Sequence, residues 1–452
     1  MISRRNPFFI SVGGGNEIGA SSYFLSLCGT DILIDAGLRL NSERTYPRYE
    51  HLYENGVIDG LWDLSAVLLT HGHLDHIGSL PKVVEEAPLV PVYATAGTKD
   101  IVQLQLEDMV RVGERRAQSR PETAAANYMK FQVEQALSNI RTREWGVPVT
   151  VGNAEVTFFP AGHILGAACI YVRSERLNVL ITGDFSDFHQ YSVDPLSLPE
   201  GLDVDVLITE TTYGYQEQSG SAELSLERQT FLAQITDVVF GGGTVLIPAF
   251  AVGRAQEVAM ILTNAIAVGD LPPIEIYLDG LAKGATAIYE KHGRAVFGKY
   301  VKPAPLGLHS SKREMTGVVI SSSGMLVGHS CSSRYAQKLL PRAENALFFT
   351  GYLDEDSPGK KLQRLRESRG GHFQFEEKAV PVNALVDTYR LSAHASCAGI
   401  LGLIERVRPR KVVFVHGCPN FAGKTDIMRD AFLRFGSSVE FHQSLNGSTI
   451  HL

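Results

Sequence analysis

Residues 65–76 read SAVLLTHGHLDH, a short apolar strand that runs directly into three histidines and one aspartate. His71 and His73 lie two residues apart, so in an extended turn their side chains project the same way and can hold one cation. Asp75 and His76 fall at the start of the next predicted helix and can reach a second cation beside the first. Imidazole and carboxylate together suit Zn²⁺, with Mn²⁺ or Fe²⁺ as alternatives. This density of ligand side chains at a strand end predicts a metal site.

Three more strand ends carry a metal-ligand side chain beside a glycine. His163 ends the segment PAGH, Asp184 ends TGD, and His416 lies in VHG. Glycine lets the backbone approach an ion closely. A single histidine at a strand end is more often structural, but this ordered set complements the first cluster. We therefore predict two metal sites built from seven side chains: His71, His73, Asp75, His76, His163, Asp184 and His416.

The pattern of strands and helices predicts an α/β protein with more than one structural unit. Up to residue 210, short strands rich in Val, Ile and Leu alternate with turns that carry His, Asp or Gly. From about residue 212, strands such as TVLIPAF and IEIYLDG alternate with helices, which is typical of a parallel sheet. After about residue 385 the strand–turn–histidine pattern returns. A chain of 452 residues is too long for one ordinary core.

Composition narrows the class of protein. Hydrophobic content of 44% and charged content of 20% are ordinary for a globular protein. No apolar run is long enough to span a membrane, and glycines interrupt the N-terminal apolar stretch too early for a signal peptide. The five scattered cysteines form no CxxC pair. We therefore expect a reducing compartment, the cytoplasm, and no cysteine-based zinc site.

Charge is distributed unevenly along the chain. The net charge is −7, yet residues 281–380 hold 16 Lys and Arg against nine Asp and Glu. One interpretation is a local face that binds phosphate groups. The other is the ordinary fluctuation of charge in a window of that size.

The ordered motifs resemble the metallo-β-lactamase superfamily and, within it, the β-CASP ribonucleases, especially short prokaryotic members related to the mRNA 3′-end processing endonuclease. GGGNEIGASSY, LIDAG with Asp35, HGHLDH, PAGHILGA and ITGDFS resemble the opening turn and the four motifs of the superfamily. ITETTYG with Glu210, LSAHAS with His394 and VHG with His416 resemble the β-CASP motifs A, B and C. PAFAVGRAQE, SSSGML and GYLDEDSPGKKL resemble landmarks of the inserted domain.

This resemblance implies the fold and its domains. We expect a metallo-β-lactamase αββα sandwich whose N-terminal part is residues 1–210 and whose C-terminal part is residues 386–452. An inserted β-CASP α/β domain would occupy residues 211–385.

The resemblance also implies a role for each ligand. His71, His73 and His163 would hold one zinc ion, Asp75, His76 and His416 would hold the other, and Asp184 would bridge them. Asp35 would orient a ligand histidine. Histidine at motif C is typical of the members that act on RNA, whereas members that act on DNA, such as Artemis, have valine there. Single-stranded RNA is therefore the expected partner.

We expect a two-metal mechanism. Two cations lower the pKa of a shared water, which attacks phosphorus in line. His394 would donate a proton to the leaving 3′ oxygen, and Glu210 would hold that imidazole protonated. We expect Asp75 to be a catalytic residue as well as a metal ligand. The products would be a 5′-phosphate and a 3′-hydroxyl, from internal cleavage or from cleavage at a 5′ end.

Several residues of the expected insert and of motif B are candidates for substrate contacts. Ser322, Ser323 and Gly324 offer hydroxyls and backbone N–H groups that can cradle a phosphate. Arg254 opens a helix, where anions are favoured, although a salt bridge between domains is an equal alternative. Ser392 belongs to motif B. Basic side chains at one predicted helix would follow an RNA backbone or form a solvated helix face: Lys360, Lys361, Arg364 and Arg366.

Two other functions compete with RNA cleavage. One is the hydrolysis of a small ester or thioester, which the insert of about 170 residues disfavours. The other is a catalytically silent scaffold subunit, which the complete set of ligand types disfavours. A homodimer is possible, and Pro419–Thr425 is a candidate contact segment by its position alone.

Overall fold

The computed structural model of this chain describes residues 6–39, 45–119, 128–214, 221–311, 315–367, 371–376, 378–391, 393–417 and 426–452. Ser392, the segment Pro419–Thr425 and the side chain of Arg366 lie outside this description. Contacts divide the chain into two compact units. The first comprises residues 1–189, 193–218 and 394–452, and the second comprises residues 190–192 and 219–393.

The first unit contains two seven-stranded sheets. One sheet is formed by β1 (Phe8–Gly13), β2 (Ser22–Leu27), β3 (Thr30–Ile34), β4 (Ala66–Leu68), β5 (Val92–Thr95), β6 (Ile140–Arg143) and β22 (Thr449–His451). Its order is β22-β1-β2-β3-β4-β5-β6. The half around β1 is antiparallel, whereas β3 to β6 pair in parallel.

The other sheet of the first unit comprises β7 (Val149–Val151), β8 (Ala154–Pro160), β9 (Ala168–Arg173), β10 (Asn178–Ile181), β11 (Val206–Glu210), β20 (Lys411–Val415) and β21 (Glu440–Gln443). Its order is β21-β20-β11-β10-β9-β8-β7. β11 pairs in parallel with β10 on one side and with β20 on the other. This pairing brings the ends of strands that are about 200 residues apart in sequence to one edge of the sheet.

The two sheets pack face to face around a shared core. Successive side chains of a strand point to opposite faces. Phe9 therefore joins Phe158 and Ile208 between the sheets, whereas Phe8 and Ile10 pack on the outer face against helices. The helices of this unit are α1 (Glu50–Glu54), α2 (Leu74–Ile77), α3 (Leu80–Glu86), α4 (Ala96–Ser119), α5 (Lys130–Asn139), α11 (Cys397–Val407) and α12 (Ile427–Phe435). The predicted α/β class is confirmed.

The second unit is built on a six-stranded sheet in which every pairing is parallel. Its strands are β12 (Thr244–Pro248), β13 (Ile276–Asp279), β14 (Val301–Pro303), β15 (Gly317–Ser321), β16 (Ala346–Phe349) and β19 (Leu385–Thr388), in the order β14-β13-β15-β12-β16-β19. A hairpin joins β17 (His372–Gln374) to β18 (Ala379–Pro381). The helices are α6 (Ser221–Phe240), α7 (Arg254–Val268), α8 (Leu281–Lys291), α9 (Cys331–Leu339) and α10 (Pro358–Glu367). The parallel sheet predicted from alternating strands and helices is confirmed.

No helix in the described part of the chain combines the length and the apolar character that a bilayer crossing requires.

A close backbone contact positions the ligand helix α2. Ala36 N donates to His76 O at 2.7 Å, and Ser21 N donates to Asp75 O at 2.8 Å. Gly37 lies between these bonds, and a Cβ on it would stand 1.8 Å from Asp75 O. That separation is far below any van der Waals contact. Glycine is therefore required here for the backbone after β3 to hold Asp75 and His76 in place.

We expect Gly37→Ala to lower the free energy of unfolding of the first unit by about 1–3 kcal/mol or more, because the added methyl group forces α2 away. Both tryptophans, Trp62 and Trp145, belong to this unit, so urea denaturation followed by tryptophan fluorescence reports on it alone. Gly402→Ala in α11 is the control, since a Cβ there meets nothing within 4 Å. Wild-type stability of Gly37→Ala would contradict the close contact.

Candidate metal centre

Three histidines and one aspartate of the first unit meet at the ends of β4, β8 and β10. His73 Nδ1 lies 3.2 Å from His71 Nε2 and 3.2 Å from His163 Nε2. Asp184 Oδ2 lies 3.6 Å from His71 Nε2 and 3.8 Å from His163 Nε2. The four ligand atoms all lie within 4.8 Å of one another. Nitrogens that face a common point at these distances form a cage of a size suited to one divalent cation.

A second group lies directly beside the first. His76 Nε2 is 3.3 Å from His416 Nε2, and Asp75 Oδ2 is 3.4 Å from the same atom of His416. His76 and Asp75 come from α2, whereas His416 follows β20. The parallel pairing of β11 with β20 therefore brings a ligand from the end of the chain to the local cluster.

Asp184 joins the two groups. Its Oδ2 faces His71 and His163, while its Oδ1 lies 3.4 Å from His76 Nε2. Asp184 is buried, and Oδ1 makes no hydrogen bond with any residue that the structure describes. A buried carboxylate oxygen without a hydrogen bond requires another source of stabilisation. A cation between Asp184 and His76 would supply it, so the residues present fit a pair of metal ions.

The charge of the centre supports the same interpretation. Asp35, Asp75, Asp184 and Glu210 bring four carboxylates into it, and within the described ranges no Lys or Arg lies within 4 Å of any of them. Only imidazoles oppose this negative charge. Uncompensated buried charge is costly, and divalent cations are the usual means of neutralising it.

The pKa values of these groups reflect this excess of carboxylates. Burial acts to raise the pKa of Asp184, yet the imidazoles around it, His416 and His76 foremost, hold it well below its usual range. Burial alone would lower the pKa of His76, but the carboxylates of Asp184 and Asp35 raise it to about 10. Burial lowers the pKa of His71 well below its ordinary value. His71 is therefore neutral, as a metal ligand must be.

Asp35 and Thr70 orient two of the ligand histidines. Asp35 Oδ2 accepts a hydrogen bond from His76 Nδ1 at 2.7 Å and another from the Thr70 hydroxyl at 2.7 Å. The same hydroxyl lies 3.0 Å from His71 Nδ1. Because its one hydrogen goes to Asp35, it accepts from His71 Nδ1–H. Both imidazoles therefore present Nε2 to the metal groups.

Glu210 and Thr212 repeat this arrangement on the other side of the centre. The Thr212 hydroxyl donates to Glu210 Oε2 and lies 3.0 Å from His416 Nδ1. By the same reasoning it accepts from His416, whose Nε2 then faces Asp75 and His76. The sequence analysis missed both threonines. Thr70 stands directly before His71, and Thr212 stands two residues after Glu210, but no spacing rule assigns a hydroxyl there.

His394 lies at the edge of the centre and is bonded to Glu210. Its Nδ1 is 2.9 Å from Glu210 Oε2, and its ring centre is 4.5 Å from that of His163. Phe185 N donates to Glu210 Oε1 at 2.7 Å and fixes the carboxylate. Burial alone would lower the pKa of His394, but the charge and hydrogen bond of Glu210 raise it to about 9. Glu210 therefore holds His394 through Nδ1 and favours its protonated form.

The predicted substrate contacts of the second unit lie in well-bonded loops. Ser322 Oγ accepts from Leu281 N at 3.0 Å, and Ser323 Oγ accepts from Val327 N at 3.2 Å. A Cβ on Gly324 would stand 3.0 Å from a backbone nitrogen of the neighbouring loop. Arg254 is the first residue of α7 and is buried. These residues hold the local structure, and their contact with a substrate stays a prediction.

The basic helix face on α10 is partly neutralised. Lys360 Nζ lies 3.7 Å from Glu355 Oε1, and Arg364 pairs with the same carboxylate. Two cations that share one acid are typical of a solvated helix face. This geometry favours a solvated helix face over a helix that follows an RNA backbone.

Three family models match the chain in order. The metallo-β-lactamase superfamily model matches residues 15–216, the Beta-Casp domain model matches residues 255–362, and the model of the Zn-dependent metallo-hydrolase RNA specificity domain matches residues 379–424. The first match contains six of the seven gathered ligands, and the third contains His416.

Curated relatives are similar along most of the chain. "RNase aCSPSF2" of Saccharolobus solfataricus is 28% identical over the whole chain and 86% of its own length. "Transcription termination factor FttA" of Thermococcus kodakarensis is 29% identical over 90% of the chain and 66% of its own length. "Endoribonuclease ysh1" of Emericella nidulans is 29% identical over 90% of the chain. The chain spans 50% of the length of this fungal relative.

Among solved structures, a protein of unknown function from Enterococcus faecalis V583 shares the fold, with a TM-score of 0.59 and 14% identity over 99% of this chain and 100% of that one. The ordered matches of the three family models, together with the motifs that carry the gathered ligands, show the family. This chain belongs to the metallo-β-lactamase superfamily and, within it, to the β-CASP family of metal-dependent hydrolases.

Proposed function

We propose that this chain hydrolyses phosphodiester bonds in single-stranded RNA with two divalent cations. The observation that carries the proposal is the convergence of seven ligand side chains on two adjacent groups that share Asp184, beside the pair of His394 and Glu210. RNA as substrate is supported by the matched RNA specificity domain and by relatives named as ribonucleases.

The two groups would hold one ion each. His71, His73 and His163 would bind the first, and Asp184 would bridge to the second. The second would be held by Asp75, His76 and His416. Zn²⁺ is the proposed ion because imidazoles dominate the ligand set, with Mn²⁺ as the alternative. When bound, such ions supply an activated water at neutral pH and neutralise phosphate charge.

The side chains around the ions would orient the ligand histidines and donate a proton to the leaving group. Asp35 and Thr70 would keep Nε2 of His71 and His76 turned toward the ions, as Thr212 would for His416. His394 would donate its Nε2 proton to the leaving 3′ oxygen, so that a 3′-hydroxyl and a 5′-phosphate result.

The charge of Glu210 favours the protonated form of His394 that this step requires. Substrate phosphates would meet Ser322, Ser323, Gly324, Arg254 and Ser392.

The competing functions have no geometric observation in their favour. A scaffold subunit has no need of ligands that face one another across two groups. A hydrolase of small esters has no need of an insert of this length. Cytoplasmic location is proposed from the five scattered cysteines of the sequence, which form no CxxC pair. That location and a homodimer stay predictions, as does the choice between internal and 5′-end cleavage.

Metal content tests the proposed centre. We expect Asp184→Asn to bind at most about one ion where the wild-type protein binds about two, because the shared carboxylate charge is lost. Inductively coupled plasma mass spectrometry after dialysis measures the content. Asp63→Asn, which alters an exposed aspartate of the same unit, is expected to keep both ions. Two tightly held ions in Asp184→Asn would exclude the bridging role, and a folded wild-type protein without metal would support the scaffold.

The role of His394 is tested by truncation. We expect His394→Ala to keep both ions and to lose about 10²–10⁴-fold in kcat, the usual contribution of a general acid. The assay is cleavage of an end-labelled single-stranded RNA, with DNA of the same sequence as the comparison substrate. His372→Ala, which alters an exposed histidine of the second unit, serves as control. Wild-type turnover in His394→Ala would remove this residue from the mechanism.

The pH dependence tests the role of Glu210. The raised pKa means that His394 is protonated below about 9 and loses its proton as pH rises through that value. Activity that depends on this acid should therefore fall at alkaline pH. Bound cations would lower the midpoint in every variant. Glu210→Gln should move the fall to lower pH because the stabilising carboxylate is absent.

The measurement for this test is kcat against pH. His394→Gln, which has no titrating group at this position, is expected to lack the alkaline fall. An unchanged midpoint in Glu210→Gln would contradict the role assigned to the carboxylate.

A further inference from the structure

A basic pocket of about 440 Å³ lies wholly within the second unit. It is formed by the turn Leu308–Ser310, the loop before α9, α9 itself and the residue before β18. Five of its lining residues are basic, and Ser310 and Gln337 add neutral donors. The lining residues are His309, Ser310, His329, Arg334, Gln337, Lys338 and Lys378.

Hydrogen bonds and packing hold the walls of the pocket. An Arg334 guanidinium nitrogen lies 3.3 Å from His309 Nε2, and Lys338 Nζ donates to Ser311 O at 2.8 Å. The His309 ring packs edge-on against buried Tyr335, with ring centres 5.9 Å apart. His309, Arg334 and Lys338 are therefore held in place before any ligand arrives, which reduces the entropy lost on binding.

Several basic residues of the unit outside this pocket have carboxylate partners. Lys283 lies 2.9 Å from Asp279, Lys302 lies 2.6 Å from Glu275, and Arg342 has a similar carboxylate partner. Arg334 and Lys378, in contrast, have no carboxylate within 4 Å among the residues that the structure describes.

Among the described residues, Glu376 lies beside the pocket and pairs with His329 at 3.0 Å. Arg334, Lys338 and Lys378 make the pocket locally positive, which attracts anions.

Helix α9 links the pocket to the loop proposed to meet substrate phosphates. The Ser332 hydroxyl donates to Ser323 O at 2.6 Å, and Ser332 N donates to Ser322 O at 2.9 Å. Arg334 follows two residues later on α9. Because residues two apart on a helix point to different sides, the pocket is a separate contact region from that loop.

We propose that this pocket binds backbone phosphates of the single-stranded RNA substrate. This inference rests on the proposed function and adds a binding site for RNA to it. Arg334 offers a planar fork of donors that matches phosphate oxygens, and Lys378 supplies a point charge. The site reads no base, so it contributes affinity that is independent of sequence.

The test replaces the two exposed cations of the pocket, Arg334 and Lys378, which have no carboxylate within 4 Å in the described part of the chain. The variant is Arg334→Gln with Lys378→Gln, and the matched control is Lys299→Gln with Lys302→Gln, which removes two exposed lysines outside the pocket. Lys338 is left intact because it bonds the Ser311 carbonyl. All proteins are metal-loaded and carry His394→Ala, so that the RNA stays intact. Fluorescence anisotropy gives the Kd of a single-stranded RNA at several KCl concentrations. The RNA is about 30 nucleotides long, which exceeds any single contact site.

We expect the pocket variant to bind RNA about tenfold more weakly than the control. Its slope of log affinity against log salt should be smaller by about 1.4, which corresponds to two lost contacts with a single strand. Equal affinity and slope in the two variants would overturn the proposal.

Inorganic phosphate, titrated by calorimetry, separates the two sources of the anion. If the pocket variant loses phosphate binding but binds RNA as the control does, the pocket serves a free anion and the RNA assignment is wrong. Failure of the wild-type chain to cut RNA would overturn the proposed hydrolysis alone, since binding decides the pocket. Failure of the parent protein to bind RNA would overturn both.

Discussion

The burial of the Asp184 carboxylate is the constraint on which the rest of this structure depends. One of its oxygens faces His71 and His163, and the other faces His76 without a hydrogen bond among the described residues. Such a group is stable only with positive charge on both sides. The strand ends of two sheets supply that environment, since they bring imidazoles from residues 71, 163 and 416 around one carboxylate. The geometry of the whole centre follows from satisfying this charge.

The same hydrogen-bond arrangement orients a histidine of the centre at two places. A threonine hydroxyl stands between a carboxylate and the Nδ1 of a ligand histidine, once at Thr70 and once at Thr212. In each case the hydroxyl hydrogen goes to the acid, so the imidazole is held in the tautomer that presents Nε2. Glu210 has two roles because it also holds His394. The proposed acid and a metal ligand are thereby connected through one carboxylate.

The second unit places its chemistry at the ends of parallel strands, as α/β sheets generally do. The loop after β15 is held by its own serines, and helix α9 continues from it toward a cluster of cations. The net charge of −7 does not reveal this feature. Several cations of residues 281–380 pair with acids, such as Lys283 with Asp279 and Lys302 with Glu275, whereas Arg334 and Lys378 line one pocket. Charge placement therefore matters more than total charge for the phosphate binding proposed for this unit.

The sequence by itself determined the α/β class, the family and the candidate ligands, because strand periodicity and short spacings such as HGHLDH are local consequences of chain geometry. Only the tertiary structure decided which ring nitrogen each histidine presents and that Thr212 contacts His416 across 204 positions. It also decided that Gly37 must admit the carbonyl of Asp75 and that residues 309, 334 and 378 share a pocket. These contacts depend on how strands from distant segments pair. The register of that pairing cannot be read from the local sequence.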